Sequence, residues 1–298
     1  MKKGESGGLL LALAGFALLS LGDAIVKTMA GQWPPTAIAA VRYAIGATGL
    51  SALLLVREGS RVFHPPLPHI QGLRGFGVAI ATMGFFSAVF VMPLAEATAI
   101  TFTSPMITAV LAALLLGEPA RRETWIATVI AFCGVLVVLR PNVAALGLSA
   151  LLPVLSAVGM SLLVLGNRMV AGKASSLAMQ AYVAIAALPI LAAGALAGHF
   201  SGRPGLVADW PDPSVILRCA VVACTASTAH WLIFMGTTRA GAASVAPMTY
   251  VQLLVATTLG WIWFGDRPDG LTMLGAAIIV GAGIYLWRTT QKWKGAAG

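Results

Sequence analysis

Ionisable side chains inside apolar segments are the residues of this sequence most able to do chemistry. Asp23, Arg42, Glu96 and His230 each lie within or at the edge of an apolar run. A charged group in hydrocarbon costs about 2.5–3.5 kcal/mol on insertion scales, so each is a candidate for substrate binding, gating or coupling. An unperturbed histidine titrates near pH ~6.5, which would suit a proton-coupled step at His230.

Each of these groups also has a structural interpretation. Asp23 and Lys27 are four residues apart on one predicted helix face and could pair with each other. Arg42 could form a salt bridge with Asp23 or Glu96, or it could bind a substrate carboxylate. A lone histidine among apolar neighbours is also explained by packing. The sequence leaves these alternatives open.

Hydroxyl, amide and apolar side chains at helical spacing form a second set of candidates. They could line a cavity that binds a zwitterion through hydrogen bonds, or they could join helices at roughly 0.6–2 kcal/mol per bond. The set comprises Thr98, Thr101, Ser104 and Thr108 on one face of a predicted helix, Ser244, Thr249, Tyr250 and Gln252 on another, and Met83, Phe86, Ser87 and Phe90 on a third.

Motifs for several enzyme classes are missing from the sequence. There is no Walker A loop, no GxSxG, no HExxH and no cluster with metal-ligand spacing. The three cysteines are odd in number and lack the spacing of a zinc site or a disulfide framework. We therefore expect no catalytic residues, no metal and no cofactor, and we predict that the protein is not an enzyme.

The elements that position these residues are apolar helices. The chain of 298 residues is 58% hydrophobic and 10% charged, with a mean hydropathy of +0.89, whereas soluble domains average about 25% charged residues. A bilayer-spanning helix needs about 20 apolar residues. Ten such runs predict an all-α polytopic membrane protein, and they cover 8–29, 35–56, 73–92, 95–116, 123–139, 146–166, 177–198, 214–235, 241–264 and 269–287.

The basic residues indicate the orientation of these helices. The net charge is +9, and most of the 19 Lys and Arg residues fall in the segments that are cytoplasmic if the N-terminus is inside. The positive-inside rule then predicts a multi-pass membrane protein with both termini in the cytoplasm. Because this distribution explains the charge, we expect no nucleic-acid partner.

Two matching segments divide the chain into similar halves. Gly117-Glu118-Pro119 and Gly265-Asp266-Arg267-Pro268 are each followed by an apolar run, which ends at Arg140 and Arg288 respectively. Corresponding residues lie 148 positions apart (266 − 118). Five spans per half is an odd number, so the second half would enter the membrane in the opposite direction. The pattern predicts two inverted five-helix repeats, 1–140 and 146–298, with a substrate site near the midplane.

These motifs resemble a known family. Ten spans in two repeats, each with a proline-containing fourth helix and the acid-proline turn, are similar to the drug/metabolite transporter superfamily and to its EamA family. Val41-Arg42-Tyr43 is similar to an arginine–aromatic step of that family. Pro93–Ala99 and Tyr250-Val251-Gln252 resemble amino-acid exporters of the YddG type. The resemblance implies export of small metabolites through a central cavity, with Glu118 and Asp266 in structural roles.

We therefore predict a secondary transporter that exports small metabolites, most readily aromatic or diverse amino acids, by alternating access. The alternative is a membrane enzyme that acts on a lipid or isoprenoid. Expected partners are the small-molecule substrate, the lipid bilayer and protons for coupling, in a monomer or homodimer. The predicted substrate-binding residues are Thr98, Thr101, Ser104, Met83, Phe86, Ser87, His230, Ser244, Tyr250 and Gln252, and the predicted gating or coupling residues are Asp23, Arg42 and Glu96.

Overall fold

A computed structural model describes residues 3–117, 122–241 and 245–296, and every regular element within these ranges is helical. Glu118 and Ser244 lie outside the described residues. The helices are α1 (Lys3–Lys27), α2 (Pro35–Glu58), α3 (Pro68–Val91), α4 (Leu94–Thr101), α5 (Ser104–Leu116), α6 (Arg122–Leu146), α7 (Leu152–Met169), α8 (Ser176–Phe200), α9 (Pro213–Ala240), α10 (Val251–Phe264) and α11 (Gly270–Ala296).

Most of these helices are long enough to cross a bilayer. Eight helical segments in the described part of the chain combine the length and apolar composition needed for a span. Two of the predicted spans, 123–139 and 241–264, correspond to the shorter apolar stretches Trp125–Leu139 and Met248–Phe264. The prediction of an all-helical, multi-pass membrane protein is confirmed.

The fourth span differs from its prediction because it is broken near its middle. Residues 95–116 were expected to form one continuous helix, but α4 ends at Thr101 and α5 begins at Ser104. Pro105 lies in the first turn of α5, and a proline there cannot donate the backbone bond that would continue α4. A 3-10 turn at Ala246–Tyr250, which contains Pro247, precedes α10 in a similar way.

Helices of the first half (α1–α6) pack mainly against helices of the second half (α7–α11). The main contacts are α1 with α9, α2 with α8, α3 with α7 and α6 with α11. Glycines permit these close approaches: a Cβ at Gly159 of α7 would lie 2.5 Å from the Ala81 nitrogen and the Gly77 oxygen of α3. In membranes, where water does not drive helices together, such small-residue contacts supply the packing energy.

Candidate functional site

A cavity of about 180 Å³ lies between α2, α3, α7, α8 and α9. Arg42 lies seven residues after the start of α2, which is about 10 Å along the helix. Arg74 lies six residues after the start of α3, at the opposite end of the bundle. The cavity therefore extends from the middle of the bundle toward the end at which α2 ends and α3 begins, which we call the Arg74 end. The opposite end is called the Lys27 end.

Arg42 occupies the cavity wall against two aromatic rings. Its guanidinium carbon lies 4.8 Å from the ring centroid of Tyr43 and 5.6 Å from that of Phe86, which are cation–π distances. The Tyr43 hydroxyl lies 3.2 Å from Thr82 Oγ1 and so joins α2 to α3. The charge of Arg42 also acts on Asp23, yet no salt bridge joins Arg42 to an acid within the described residues. The first structural alternative for Arg42, a salt bridge with Asp23 or Glu96, is therefore not formed.

Arg74 is the polar centre of the other end of the cavity. It is only 5% exposed, and its Nε donates to Asn167 Oδ1 at 2.6 Å. Its Nη1 donates to Gln71 Oε1, and its Nη2 donates to the Met179 carbonyl at 3.1 Å. These bonds join α3, α7 and α8 through one guanidinium. Each of these oxygen acceptors is a neutral group, so the positive charge remains in the cavity wall.

This role of Arg74 was not predicted from the sequence, in which Arg74 is one of the basic residues of the predicted cytoplasmic segments. One signal was present: Arg74 lies four residues from both Ile70 and Val78, on the face of α3 that the structure buries. Its partners on α7 and α8 could not be inferred from spacing.

Of the predicted site residues, Arg42 and His230 line this cavity. His230 is exposed to it from α9, one turn away from Ser227, which also lines it. Phe86 reaches it indirectly, by supporting Arg42. Met83 packs against Gly194 of α8. The cavity thus involves α2 and α8 more than the sequence analysis expected.

The predicted hydroxyl stripe does not point its hydrogen bonds into this cavity. Thr98 Oγ1 donates to the Leu94 carbonyl at 2.8 Å, and Thr101 Oγ1 donates to the Ala97 carbonyl at 2.9 Å. These bonds run back along their own helix, four residues toward its start. The break after Thr101 also divides the stripe between α4 and α5.

Three contacts that join the halves involve positions of α4–α5 and α10 that are 148 residues apart (250 − 102 and 252 − 104). Phe102 and Tyr250 meet edge to face, with ring centroids 5.6 Å apart and planes at 76°. Two residues further along, the Ser104 carbonyl accepts from Ser161 Oγ at 2.9 Å and the Gln252 carbonyl accepts from Ser20 Oγ at 3.0 Å. Ser104 and Gln252 thus contribute backbone carbonyls to corresponding bonds with the first helix of the other half.

The Lys27 end is joined by an ion pair. Lys27 Nζ lies 2.6 Å from Asp266 Oδ2, donates to the Met92 carbonyl at 3.1 Å and lies 5.0 Å from the Phe264 ring centroid. The sequence suggested that Lys27 pairs with Asp23. That pairing is not formed, because Lys27 reaches the turn between α10 and α11 instead.

Glu96 also belongs to the Lys27 end and is buried there. Its Oε1 accepts from Thr272 Oγ1 at 3.4 Å, and the Thr272 backbone N–H donates to Asp269 Oδ1 at 2.7 Å. The latter bond holds the pKa of Asp269 below its ordinary value of 3.8. The contacts of Glu96 place it at the interface between α4 and the start of α11.

Comparison with known proteins agrees with this architecture. The EamA-like transporter family matches residues 6–140 and 147–288. The chain is 27% identical to a riboflavin transporter of Rhizobium johnstonii over 288 residues, which cover 96% of this chain and 92% of that protein. It is 23% identical to an S-adenosylmethionine uptake transporter of Rickettsia bellii, with 93% and 94% covered. It is 27% identical to a pseudopaline exporter of Pseudomonas aeruginosa, with 96% and 98% covered.

A crystal structure with 20% sequence identity has the same fold. It superposes with a TM-score of 0.59 and covers 97% of this chain and 99% of its own. The family match includes both halves of the chain, and the relatives are transporters rather than enzymes. The chain belongs to the EamA-like transporter family, and it is a membrane transporter.

Proposed function

We propose that this protein is a secondary transporter that exports small metabolites across the bacterial inner membrane by alternating access. The observation that carries the proposal is the asymmetry of the bundle. The Lys27 end is joined by the ion pair to Asp266, while the cavity extends from mid-bundle to the Arg74 end. A cavity that reaches one side while contacts join the other is what one state of an alternating-access cycle requires.

The pattern of helix contacts supports the proposal of two inverted five-helix repeats, 1–140 and 146–298. The first helix of one half packs against the third of the other, in both directions, as α1 with α9 and α3 with α7. The second helices pack together, and so do the fifth. Exchange of the two halves leaves this arrangement unchanged, as an approximate two-fold axis between repeats would require.

The proposed orientation rests on the positive-inside rule. With both termini in the cytoplasm, the Arg74 end would also be cytoplasmic, and the cavity would receive solutes from inside the cell. The named relatives include both an uptake transporter and an exporter, so their names leave the direction open.

Amino acids remain our predicted substrates. The relatives named here handle riboflavin, S-adenosylmethionine and pseudopaline, which supports a wider search.

We assign roles to the predicted residues from their positions. Arg42 and His230 would contact substrate, because both line the cavity. Glu96 would take part in gating at the Lys27 end, where it contacts α11. Asp23 would influence substrate binding by way of its electrostatic interaction with Arg42. Phe86 would hold Arg42 in place. The other described residues of the predicted set, which do not line the cavity, would act in helix packing: Thr98, Thr101, Ser104, Met83, Ser87, Tyr250 and Gln252.

The direct test is export from proteoliposomes. Vesicles that contain the purified protein are loaded with a bacterial metabolite extract and free amino acids, and the solutes that leave are identified by mass spectrometry. We expect protein-dependent efflux of at least one small metabolite. Vesicles with no protein-dependent efflux of any solute would contradict the transport proposal. A repeat with an imposed pH gradient tests proton coupling, because a rate that is indifferent to the gradient would exclude it.

A further inference from the structure

The cavity wall is positively charged. Its lining includes Arg42 and Arg74, and no Asp or Glu is among the described residues that line it. A charged side chain within a membrane span is costly to insert, and it commonly marks a substrate pathway. Arg42 lies within α2, so its charge is a candidate for substrate contact.

The two arginines differ in how their N–H groups are used. Arg74 donates to the side chains of Asn167 and Gln71 and to the Met179 carbonyl, so most of its donors are already occupied. The Arg42 guanidinium makes no hydrogen bond or ion pair with any residue in the described ranges. Its nitrogen atoms are not sealed inside the protein either, since Arg42 lines the cavity.

The surroundings of Arg42 hold its side chain without occupying its donors. The guanidinium lies against the rings of Tyr43 and Phe86, and ring contacts leave the in-plane N–H groups free. Tyr43 is fixed by its hydroxyl contact with Thr82, and Phe86 is only 4% exposed. Such a pre-positioned guanidinium fork matches the two oxygens of a carboxylate or phosphate.

We infer that the transported molecule carries an anionic group, a carboxylate or a phosphate, that binds the free N–H groups of Arg42. This inference rests on the proposed transport function and names its substrate class. The apolar part of the molecule would pack on Val78, Leu163 and Val183 of the same cavity. Asp23 interacts electrostatically with Arg42 but forms no salt bridge with it, so Asp23 leaves the N–H groups of Arg42 available. The charge of Arg74 keeps the electrostatic potential positive at the end of the cavity through which the anion would enter.

The test uses four probes with one ring and different head groups: phenylacetate, phenyl phosphate, phenylacetamide and phenethylamine. Their binding to the full-length protein in nanodiscs is measured by thermal stabilisation and by calorimetry. We expect one of the two anions to bind at least about tenfold more tightly than the amide and the amine, since charge-assisted bonds to a guanidinium are worth about 1.5–3 kcal/mol. Whichever of the two anions binds more tightly shows whether the substrate group is a carboxylate or a phosphate.

Variants of Arg42 assign the effect to this residue. Arg42→Gln should weaken anion binding roughly ten- to a hundredfold and remove the preference over the amide. Arg42→Lys, which keeps the charge but loses the fork, should retain part of the preference. Arg57→Gln is the matched control, because Arg57 lies exposed near the end of the same helix and outside the cavity lining. Size-exclusion profiles show that each variant is folded.

Several outcomes would overturn the inference. They are equal binding of the amide or amine, undetectable binding of both anions at millimolar concentration, or unchanged anion binding in a folded Arg42→Gln protein. The extract-loaded vesicles separate this failure from failure of the transport proposal. Efflux of only neutral or purely cationic solutes would refute the anionic substrate and leave transport intact, whereas the lack of any efflux would refute transport itself.

Discussion

Lys27 and Asp266 are 239 residues apart in the chain and form a salt bridge of 2.6 Å that joins α1 to the turn before α11. The two side chains are 12% and 20% exposed, so water screens the pair only in part. The proposed alternating-access mechanism requires this end to open, so the bond is expected to stabilise the closed state. Under that proposal Asp266 would have a gating role in addition to the structural one that the family resemblance implies.

We predict that Lys27→Met or Asp266→Asn shifts the protein toward a state open at the Lys27 end. Loss of a partly buried pair should change the balance by about 1–3 kcal/mol, or roughly 5- to 150-fold. The measurement is maleimide labelling of Cys219, which is buried in α9, in a protein that carries Cys133→Ser and Cys224→Ser. Labelling should become faster in both variants.

Two controls accompany this prediction. Asp266→Glu keeps the charge pair and should label at the parent rate. The exchanged pair Lys27→Asp with Asp266→Lys should restore slow labelling at least in part. Unchanged labelling of Cys219 in both single variants would show that the salt bridge does not hold this end closed.

The contact of Phe102 with Tyr250 gives a second prediction, through a glycine on α11. A Cβ at Gly283 would overlap the Tyr250 hydroxyl, whereas a Cβ at Gly281 of the same helix would meet nothing within 4 Å. Gly283→Ala should therefore displace the Tyr250 ring from Phe102, at a cost of about 1–3 kcal/mol for overpacking. Gly281→Ala is the matched control, because both changes add the same helix propensity.

The expected result is a lower transport rate and a lower melting temperature for Gly283→Ala than for Gly281→Ala. Efflux from proteoliposomes and thermal unfolding in detergent measure the two quantities. If the two variants were indistinguishable in both measurements, the contact between the broken helices of the two halves would have no role in transport or stability.

Much of the fold was predictable because apolar length alone defines a span. All eight long spans found in the described part of the chain fall at predicted positions, and the Asp266 turn lies at a helix end as expected. The break after Thr101 was less predictable, since a proline near the middle of a membrane helix is compatible with a kink or with a complete interruption.

The partners of charged residues could not be predicted in the same way. Helical spacing identifies possible partners only among near neighbours in the sequence, so Lys27 was paired with Asp23. Its actual partner, Asp266, is distant in the chain. Arg74 was likewise interpreted only as a topology signal. The acceptors of its hydrogen bonds on α7 and α8 are distant in the sequence. Sequence periodicity defines helix faces, but the tertiary packing decides which faces meet.

The capping bond of Asp269 predicts a pH dependence of stability. Its pKa is held below 3.8 by the Thr272 N–H, so the bond stabilises the folded state above that value and is lost as the pH falls through the lowered pKa. Asp269→Ala should melt at a lower temperature than the parent at neutral pH, with a difference that shrinks below pH 3.8. Asp269→Asn keeps an acceptor that cannot ionise, so its melting temperature should lack this dependence. A difference between Asp269→Ala and the parent that is constant across pH would contradict the capping role.

The Asp23 carboxyl group lies close enough to Arg42 for their charges to interact, although no salt bridge joins them. In its ionised form Asp23 would lower the positive potential that an incoming anion meets, so Asp23→Asn should strengthen anion binding at Arg42. We predict that Asp23→Asn tightens binding of the preferred anionic probe by roughly three- to tenfold and leaves binding of the neutral amide unchanged. Asp209→Asn, in an exposed loop, is the matched control for the change in net charge. Weaker anion binding in a folded Asp23→Asn protein would instead show that Asp23 positions Arg42, because the loss of its carboxylate would then have released the guanidinium from the cavity wall.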